Sequence, residues 1–123
     1  MARILVVDDD VNITSMLRRL FQRRGYEVDE AANGKKALQI MDQNLPDLVI
    51  TDIIMPEMEG AELIMEIRKR APRVKIIAIS GGGRIQPADY LDLAEKLGAN
   101  RSFAKPVKQN DMLAAVEDLL SQD

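Results

Sequence analysis

The stretch LVITDIIMP, residues 48–56, decides the fold predicted for this chain. Its apolar part is short and rich in β-branched side chains, and prolines lie on both sides of it at Pro46 and Pro56. This pattern favours a central strand of a parallel sheet over a helix. Asp52 comes directly after the apolar run, where a buried carboxylate is costly unless a partner compensates it. We therefore expect Asp52 to lie at the carboxyl end of the strand, where open α/β sheets bind their ligands.

Outward from this stretch, the chain alternates predicted strands with predicted helices. Four further strands are predicted, at residues 3–7, 27–31, 74–79 and 101–104. Amphipathic helices are predicted between and after them, beginning near Val11, Asn33, Glu59 and Pro87, with a last apolar stripe over residues 112–120. Parallel neighbours need right-handed crossovers, so the alternation predicts one α/β domain over residues 1–123, a doubly wound five-stranded parallel sheet with five helices on two faces.

The composition excludes several classes of protein. The 123 residues, 46% of them hydrophobic, suit one compact domain. The chain contains neither cysteine nor histidine, which excludes disulfides, thiol chemistry and the commonest general base. No apolar run approaches the ~20 residues of a membrane span, and the net charge of −3 is mixed in sign without a basic stripe. We therefore expect a cytoplasmic protein that binds neither membranes nor nucleic acid directly.

Polar residues follow four of the five predicted strands. Asp8 and Asp9 follow the first strand, Asp52 the third, Ser80 the fourth and Lys105 the fifth. Because the carboxyl ends of parallel strands meet at one edge of a sheet, we expect these side chains to converge. The sequence therefore predicts a cleft with three carboxylates, a hydroxyl and an ammonium.

The chemistry of such a cleft points to phosphoryl transfer. Two carboxylates ~4 Å apart repel by roughly 4 kcal/mol at an effective dielectric constant near 20, so the cluster should attract a cation. Oxygen ligands without histidine or cysteine favour a hard ion, of which Mg²⁺ fits best. Lys105 and Ser80 suit phosphoryl oxygens. With no other nucleophile paired with a base, Asp52 is the predicted nucleophile, and it would form an acyl phosphate.

Four motifs then identify a family. They are LVVDD at residues 5–9, DIIMPEMEG at 52–60, AISG at 78–81 and AKP at 104–106. In this order the chain resembles the CheY-like receiver domain of two-component response regulators over essentially its whole length. The resemblance implies a flavodoxin-like strand order of 2-1-3-4-5. It also implies a phosphorylation-dependent signalling switch and not a metabolic enzyme, one that catalyses phosphotransfer to its own aspartate and the slow hydrolysis of the product.

The resemblance assigns roles to the acidic residues. Asp52 is the phospho-acceptor, and the donor is a phosphohistidine on a sensor histidine kinase or a histidine phosphotransfer protein. Asp9 and Asp52 bind Mg²⁺ directly, with Mn²⁺ as a substitute, Asp8 helps through water, and the backbone carbonyl of Ile54 completes the metal site. The downstream partner or output domain stays unknown.

The resemblance also implies the switch. Ser80 follows the phosphoryl group, and Lys105, whose bond to Pro106 is expected to be cis, bridges to Asp52 or its phosphate. The family usually has an aromatic residue three positions before this lysine, but here that residue is Ser102. We therefore expect the glycine-rich loop that begins at Ser80 and Gly81 to carry the conformational change to the surface of helix 4 and strand 5. A phosphorylation-dependent homodimer through this face is left open.

Several alternatives stay open at this point. The three aspartates at residues 8–10 could cap the first helix, which we accept only for Asp10. Asp52 and Lys105 could form a purely structural ion pair. A flavodoxin-like cofactor binder is disfavoured because Asp8 and its neighbours would repel a phosphate. An aspartyl phosphatase usually has a second aspartate where this chain has Ile54. The serious rival is a receiver-shaped interaction module that never becomes phosphorylated.

Overall fold

The computed structural model describes residues 2–53, 60–80 and 87–122, without the side chains of residues 87–91. In this part of the chain, strands and helices alternate: β1 (Arg3–Val7), α1 (Val11–Gln22), β2 (Glu27–Ala31), α2 (Gly34–Gln43), β3 (Leu48–Asp52), α3 (Gly60–Arg70), β4 (Lys75–Ser80), α4 (Pro87–Leu97), β5 (Arg101–Ala104) and α5 (Gln109–Leu120). None of the helices in these ranges is long and apolar enough to cross a membrane.

The strands form one parallel sheet in the order β2-β1-β3-β4-β5. The predicted α/β fold and strand order are therefore confirmed. β3 lies in the middle of the sheet, and β1 and β4 pair with it on either side. This central position brings the carboxyl end of β3, and with it Asp52, between the ends of its two neighbours.

Two hydrophobic cores cover the two faces of the sheet. Alternate strand residues such as Leu5 and Val49 pack under α2, α3 and α4, whereas their neighbours Ile4 and Ile50 pack against α1 and α5. All four of these side chains are fully buried. Both faces of a doubly wound sheet are covered by helices, which explains why its strands read as continuous apolar runs and not as alternating ones.

The predicted helix starts are confirmed at α1 and α2. The Asp10 carboxylate accepts a hydrogen bond from the Asn12 amide at 2.9 Å, which makes Asp10 the N-cap of α1. The Asn33 side chain accepts one from the Lys36 amide at 2.9 Å and caps α2 in the same way. Each cap satisfies an amide that has no partner within its helix.

Two strands differ slightly from their predicted bounds. Asp52 and Ser80 are the last residues of β3 and β4, and do not follow these strands as predicted. Ser80 still pairs in register with Ala104 of β5, which extends β4 by one residue. At the other end, the Val74 amide donates to the Ala71 carbonyl at 3.1 Å within a turn, so β4 begins one residue later than predicted.

Arg68 of α3 makes several hydrogen bonds at the end of the sheet opposite to Asp52. Its guanidinium donates to the carbonyls of Gly98 at 2.9 Å and Val74 at 2.6 Å, and to the side chain of Asn100 at 2.8 Å. Asn100 in turn accepts from the Ile76 amide at 2.8 Å. A Cβ atom on Gly98, whose φ is +125°, would lie 2.8 Å from the Arg68 side chain, so glycine fits here on two counts. These hydrogen bonds of Arg68 were not predicted from the sequence.

Candidate functional site

Three carboxylates meet at the carboxyl edge of the sheet. One oxygen from each of Asp8, Asp9 and Asp52 can be chosen so that all three lie within 4.8 Å of one another. Asp8 is 1% exposed and Asp52 6%, whereas Asp9 is exposed to solvent. The convergence expected from the strand ends is therefore present in the structure.

Lys105 lies between two of these carboxylates. Its Nζ atom donates to Asp8 Oδ2 at 2.9 Å and to Asp52 Oδ2 at 3.0 Å. Its amide donates to the Ser80 carbonyl at 2.9 Å, which ties the end of β5 to the end of β4, and the peptide bond to Pro106 is cis. The contact of Lys105 with Asp52 was expected from the sequence, but its contact with Asp8 was not, because a sequence does not tell which of two neighbouring acids a distant lysine reaches.

Two groups of the cluster, Asp8 and Lys105, have shifted pKa values. Burial raises the pKa of the Asp8 carboxyl, even though the Asp10 amide and Lys105 both stabilise its charged form. Burial acts in the opposite direction on Lys105, but its hydrogen bonds to Asp8 and Asp52 and their negative charges outweigh it and raise the pKa of the ammonium. Lys105 therefore stays charged at neutral pH, as a fixed positive charge within the site.

Ser80 presents a hydroxyl without a partner at the same edge. The residue is fully buried, and its Oγ atom has no hydrogen-bond partner among the residues that the structure describes. A buried polar group left without a partner costs about 1–3 kcal/mol. The hydroxyl is thus available to a polar group that enters the site.

The backbone after Asp52 is held closely by the start of α3. A Cβ atom on Gly60 would lie 2.1 Å from the Asp52 carbonyl oxygen, so no larger residue fits without movement of one of the two. The Gly60 amide donates to the Ile53 carbonyl at 2.8 Å, and the Thr51 hydroxyl donates to the Asp52 carbonyl at 2.9 Å. These contacts restrain the backbone that carries the Asp52 carboxylate.

The donor set fits a hard divalent cation. The cluster offers oxygen atoms only, and its three carboxylates and one ammonium leave an excess of two negative charges. Mg²⁺ prefers carboxylate oxygens and keeps part of its coordination shell for water or phosphate. Asp8, Asp9 and Asp52 are therefore the residues that could hold the ion, with the exposed Asp9 forming its solvent side.

Two depressions flank the acidic cluster. One, of about 440 Å³, lies between α1 and α2 and includes Asp8, Asp9 and Lys36 in its wall. The other, of about 340 Å³, is mainly apolar, lies between α1 and the start of α5, and includes Lys105 in its wall. Asp8, Asp9 and Lys105 of the cluster therefore border open depressions on two sides of the site.

Two residues of the predicted site lie outside the described residues, and a third contacts α4. The first two are Ile54, the predicted carbonyl ligand, and Gly81, the predicted start of the switch loop, and residues 82–86 are likewise outside the described ranges. Ser102 lies on β5, and its hydroxyl donates to the carboxylate of Glu95 on α4. The predicted roles of Ile54 and Gly81 stay predictions, and Glu95 is a residue that the sequence analysis did not find.

Comparison with protein families yields one match that spans most of the chain. The model described as "Response regulator receiver domain" matches residues 4–117. This range includes every residue of the site described above.

Individual proteins agree with this match. Sporulation initiation phosphotransferase F of Bacillus subtilis is 33% identical over 118 residues, which cover 96% of this chain and 93% of that protein. Chemotaxis protein CheY of Thermotoga maritima is 39% identical over 115 residues, with 93% of each chain covered. Among solved structures, the receiver domain of NtrX from Brucella abortus matches with a TM-score of 0.90 and 30% identity, over 98% of this chain and 99% of that one.

Proposed function

The chain belongs to the response regulator receiver family, and from this premise we propose that it is a switch controlled by phosphorylation of Asp52. Receiver domains are signalling proteins of two-component systems and not metabolic enzymes. The observation that carries the proposal is the convergence of Asp8, Asp9, Asp52 and Lys105 at one edge of the sheet. The Ser80 hydroxyl, which has no hydrogen-bond partner among the described residues, lies at the same edge.

Asp52 supplies the nucleophile in this mechanism. One of its carboxylate oxygens attacks the phosphorus of a phosphohistidine, and the bond from phosphorus to nitrogen breaks as the bond to oxygen forms. The imidazole keeps the electron pair of the broken bond. The chain has no histidine or cysteine that could compete as acceptor. Thr51 and Gly60 support this role because their contacts hold the backbone that presents the carboxylate.

Lys105 and Ser80 stabilise the charge that develops on the transferred group. The Lys105 ammonium already contacts Asp52, so only a small movement would bring it to a phosphoryl oxygen on that carboxylate. The Ser80 hydroxyl would donate to a second oxygen and gain the partner that it lacks among the described residues. Donors fixed in advance at the position of developing charge lower the barrier without reorganisation.

Mg²⁺ is the proposed cofactor, with Mn²⁺ as a substitute. Asp8, Asp9 and Asp52 would hold it, and the carbonyl of Ile54 is a further proposed ligand on the strength of the family resemblance. When bound, the ion neutralises negative charge between the acceptor and the incoming group. The protein's own contribution is the placement of three carboxylates close enough to need a cation.

A sensor histidine kinase or a histidine phosphotransfer protein is the proposed donor, and a downstream protein or output domain reads the phosphorylated state. The proposed location is the cytoplasm. The mixed surface charge and the net charge of −3 give no support to nucleic acid as a direct partner. A phosphorylation-dependent homodimer is compatible with this mechanism and is not needed for it.

Intact mass spectrometry tests the proposal. The protein is incubated with Mg²⁺ and a small-molecule phosphodonor beside an Asp52→Asn variant and a matched Asp42→Asn variant. Asp42 lies on the exposed surface of α2 and serves as the control. We expect one labile phosphoryl adduct on the parent and the control, and none on Asp52→Asn. A parent without any adduct would favour the interaction module that is never phosphorylated.

A further inference from the structure

The amino edge of the sheet, opposite to the acidic cluster, carries a concentration of positive charge. Residues 68–75, RKRAPRVK, contain five basic residues and no acidic one, although the whole chain has a net charge of −3. Arg70 forms salt bridges with Asp42 and Glu66. The other four basic residues of the segment form no salt bridge with the part of the chain that the structure describes. Their positive charge is therefore not neutralised within this part of the protein.

Three of these four basic residues share one depression. It has a volume of about 860 Å³, lies between the starts of β3, β4 and β5 and the end of α5, and includes Arg68, Arg73 and Lys75 in its wall. Asp47 is the one acidic residue among the described residues of the wall, so three positive charges face one negative charge. Because a concave surface with an excess of one sign of charge focuses its field, the depression should attract anions.

Arg68 supplies charge to the depression but few free donors. Its guanidinium makes four hydrogen bonds to neutral oxygen atoms, those of Pro72, Val74, Gly98 and Asn100. These bonds occupy most of its five N–H groups. Burial lowers the pKa of the guanidinium, which still stays charged at neutral pH. Arg68 is therefore a partly desolvated cation without an anion beside it in the described part of the chain.

Arg73 and Lys75 supply the free donors. Arg73 is exposed in the turn after α3, and Lys75 is half-buried at the start of β4. Neither side chain makes a hydrogen bond or salt bridge with the described residues. Because the guanidinium of Arg68 cannot offer its two-pronged edge to a single carboxylate, the positive charge acts from three separate points. This arrangement suits an anion whose charge is spread over several phosphate oxygens.

The rest of the wall narrows the class of ligand. It contains no aromatic side chain among the described residues, so it offers no surface on which a nucleic-acid base could stack. Val74, Leu119 and Leu120 form an apolar part of the wall. The volume of about 860 Å³ lies within the range of small-molecule sites, which is about 300–1,000 Å³. A small organic phosphate fits these features better than a nucleotide or a macromolecule.

We propose that this depression binds a small organic anion with at least two phosphoryl groups, which Arg73 and Lys75 contact in the field of Arg68. The site lies at the end of the sheet opposite to Asp52, and its occupation does not require phosphorylation of that residue. The bound anion would supply the negative charge that Arg68 lacks among the described residues. Because such a ligand binds the folded state only, it would also stabilise the domain.

A titration of the whole chain with inorganic pyrophosphate, followed by the amide resonances in NMR spectra, tests the proposal. The buffer has low ionic strength and contains a chelator and no Mg²⁺, so that no metal ion recruits the anion to the acidic cluster. We expect saturable shifts centred on residues 72–75 and 98–100, and binding about tenfold weaker for inorganic phosphate. Shifts that do not saturate, or that centre on the acidic cluster, would overturn the site.

Substitutions of opposite sign test the charges in the wall. Arg73→Gln and Lys75→Gln should each weaken pyrophosphate binding by about three- to tenfold, because each removes a cation from the wall. Asp47→Asn should strengthen binding by about two- to fourfold, because it removes the opposing charge. It keeps an oxygen for the hydrogen bond that Asp47 accepts from the Arg3 amide at 2.8 Å.

Lys69→Gln is the matched control. It removes the same charge from the same basic segment, but Lys69 is exposed and does not line the depression. It should change the affinity for pyrophosphate less than about twofold. A loss as large as that in Arg73→Gln would show that only the net charge of the segment matters, and would overturn the site. An unchanged affinity in Arg73→Gln would do the same.

Two choices keep the test independent of folding. Arg68 is not substituted, because its hydrogen bonds join α3 to the residues before β4 and β5. Arg73 is exposed, so its replacement leaves the fold intact. Lys75→Arg keeps the charge at the half-buried position and should bind pyrophosphate as the parent does. A folded Lys75→Arg variant that has lost the binding would contradict the proposed role of this charge.

Discussion

Replacement of Lys105 by methionine should destabilise the protein at neutral pH and much less in acid. The substitution keeps the length of the side chain but removes the ammonium that contacts Asp8 at 2.9 Å and Asp52 at 3.0 Å. Removing one partner of a fully buried ion pair costs about 3–5 kcal/mol. The Lys105 side chain is 23% exposed, so water screens part of its interaction, and we expect a loss of about 1–3 kcal/mol.

The pH dependence follows from Asp8. Burial raises the pKa of this carboxyl in the folded protein, so the folded state binds a proton more readily than the unfolded state. Stability contributed by such a carboxyl falls as the pH rises from its unfolded pKa through its folded pKa. Loss of the Lys105 ammonium removes a group that favours the charged form of Asp8, which extends this fall to higher pH. The destabilisation by Lys105→Met should therefore grow between about pH 4 and pH 7.

Urea denaturation in the presence of a chelator measures the effect. A loss of about 2 kcal/mol shifts the midpoint of unfolding by about 1 M for a domain of this size. Lys108→Met is the matched control, because Lys108 is exposed and makes no salt bridge among the described residues. A variant as stable as the parent at pH 7, or equally destabilised at about pH 4.5 and pH 7, would refute the reasoning.

Two further predictions concern the same edge of the sheet. Asp9→Asn should stabilise the metal-free protein by about 0.5–1 kcal/mol, because it relieves repulsion among the three carboxylates, and it should weaken the stabilisation by Mg²⁺. Thermal unfolding with and without Mg²⁺ measures both effects, and an unchanged response to Mg²⁺ would contradict the assignment of Asp9. Gly60→Ala should lower the free energy of unfolding by about 1–3 kcal/mol, because its Cβ atom would lie 2.1 Å from the Asp52 carbonyl oxygen, and it should slow phosphorylation of Asp52 by a small phosphodonor. Chemical denaturation and timed mass spectra measure the two effects, and wild-type values in both would show that the backbone accommodates the methyl group freely.

The strand ends could be predicted from the sequence because their pattern depends on local chemistry. Unbroken apolar runs are typical of parallel strands whose two faces are covered by helices, and a charge such as Asp52 is conspicuous after one of them. The helix caps Asp10 and Asn33 are equally local, since each contacts an amide two or three residues away. Such contacts depend on spacing along the chain, which a sequence displays directly.

The contacts that a sequence does not display join side chains that are distant along the chain. Arg68 reaches Asn100, Lys105 reaches Asp8 as well as Asp52, and the clearance at Gly60 depends on a carbonyl of the preceding strand. Each depends on the relative placement of two elements to within about an ångström, whereas hydrophobic periodicity determines only which face of an element is buried. The contact between Ser102 and Glu95 belongs to the same class.

The hydrogen bond between Lys105 and Asp8 joins residues that are 97 positions apart. The three aspartates precede the lysine along the chain, so any intermediate in which β1 and β3 pair before β5 docks would bring the carboxylates together without the ammonium. The charge balance of the site therefore depends on nearly the whole domain. A partly unfolded chain would lack the ammonium beside Asp52, so under the proposed function only a folded domain would accept a phosphoryl group efficiently.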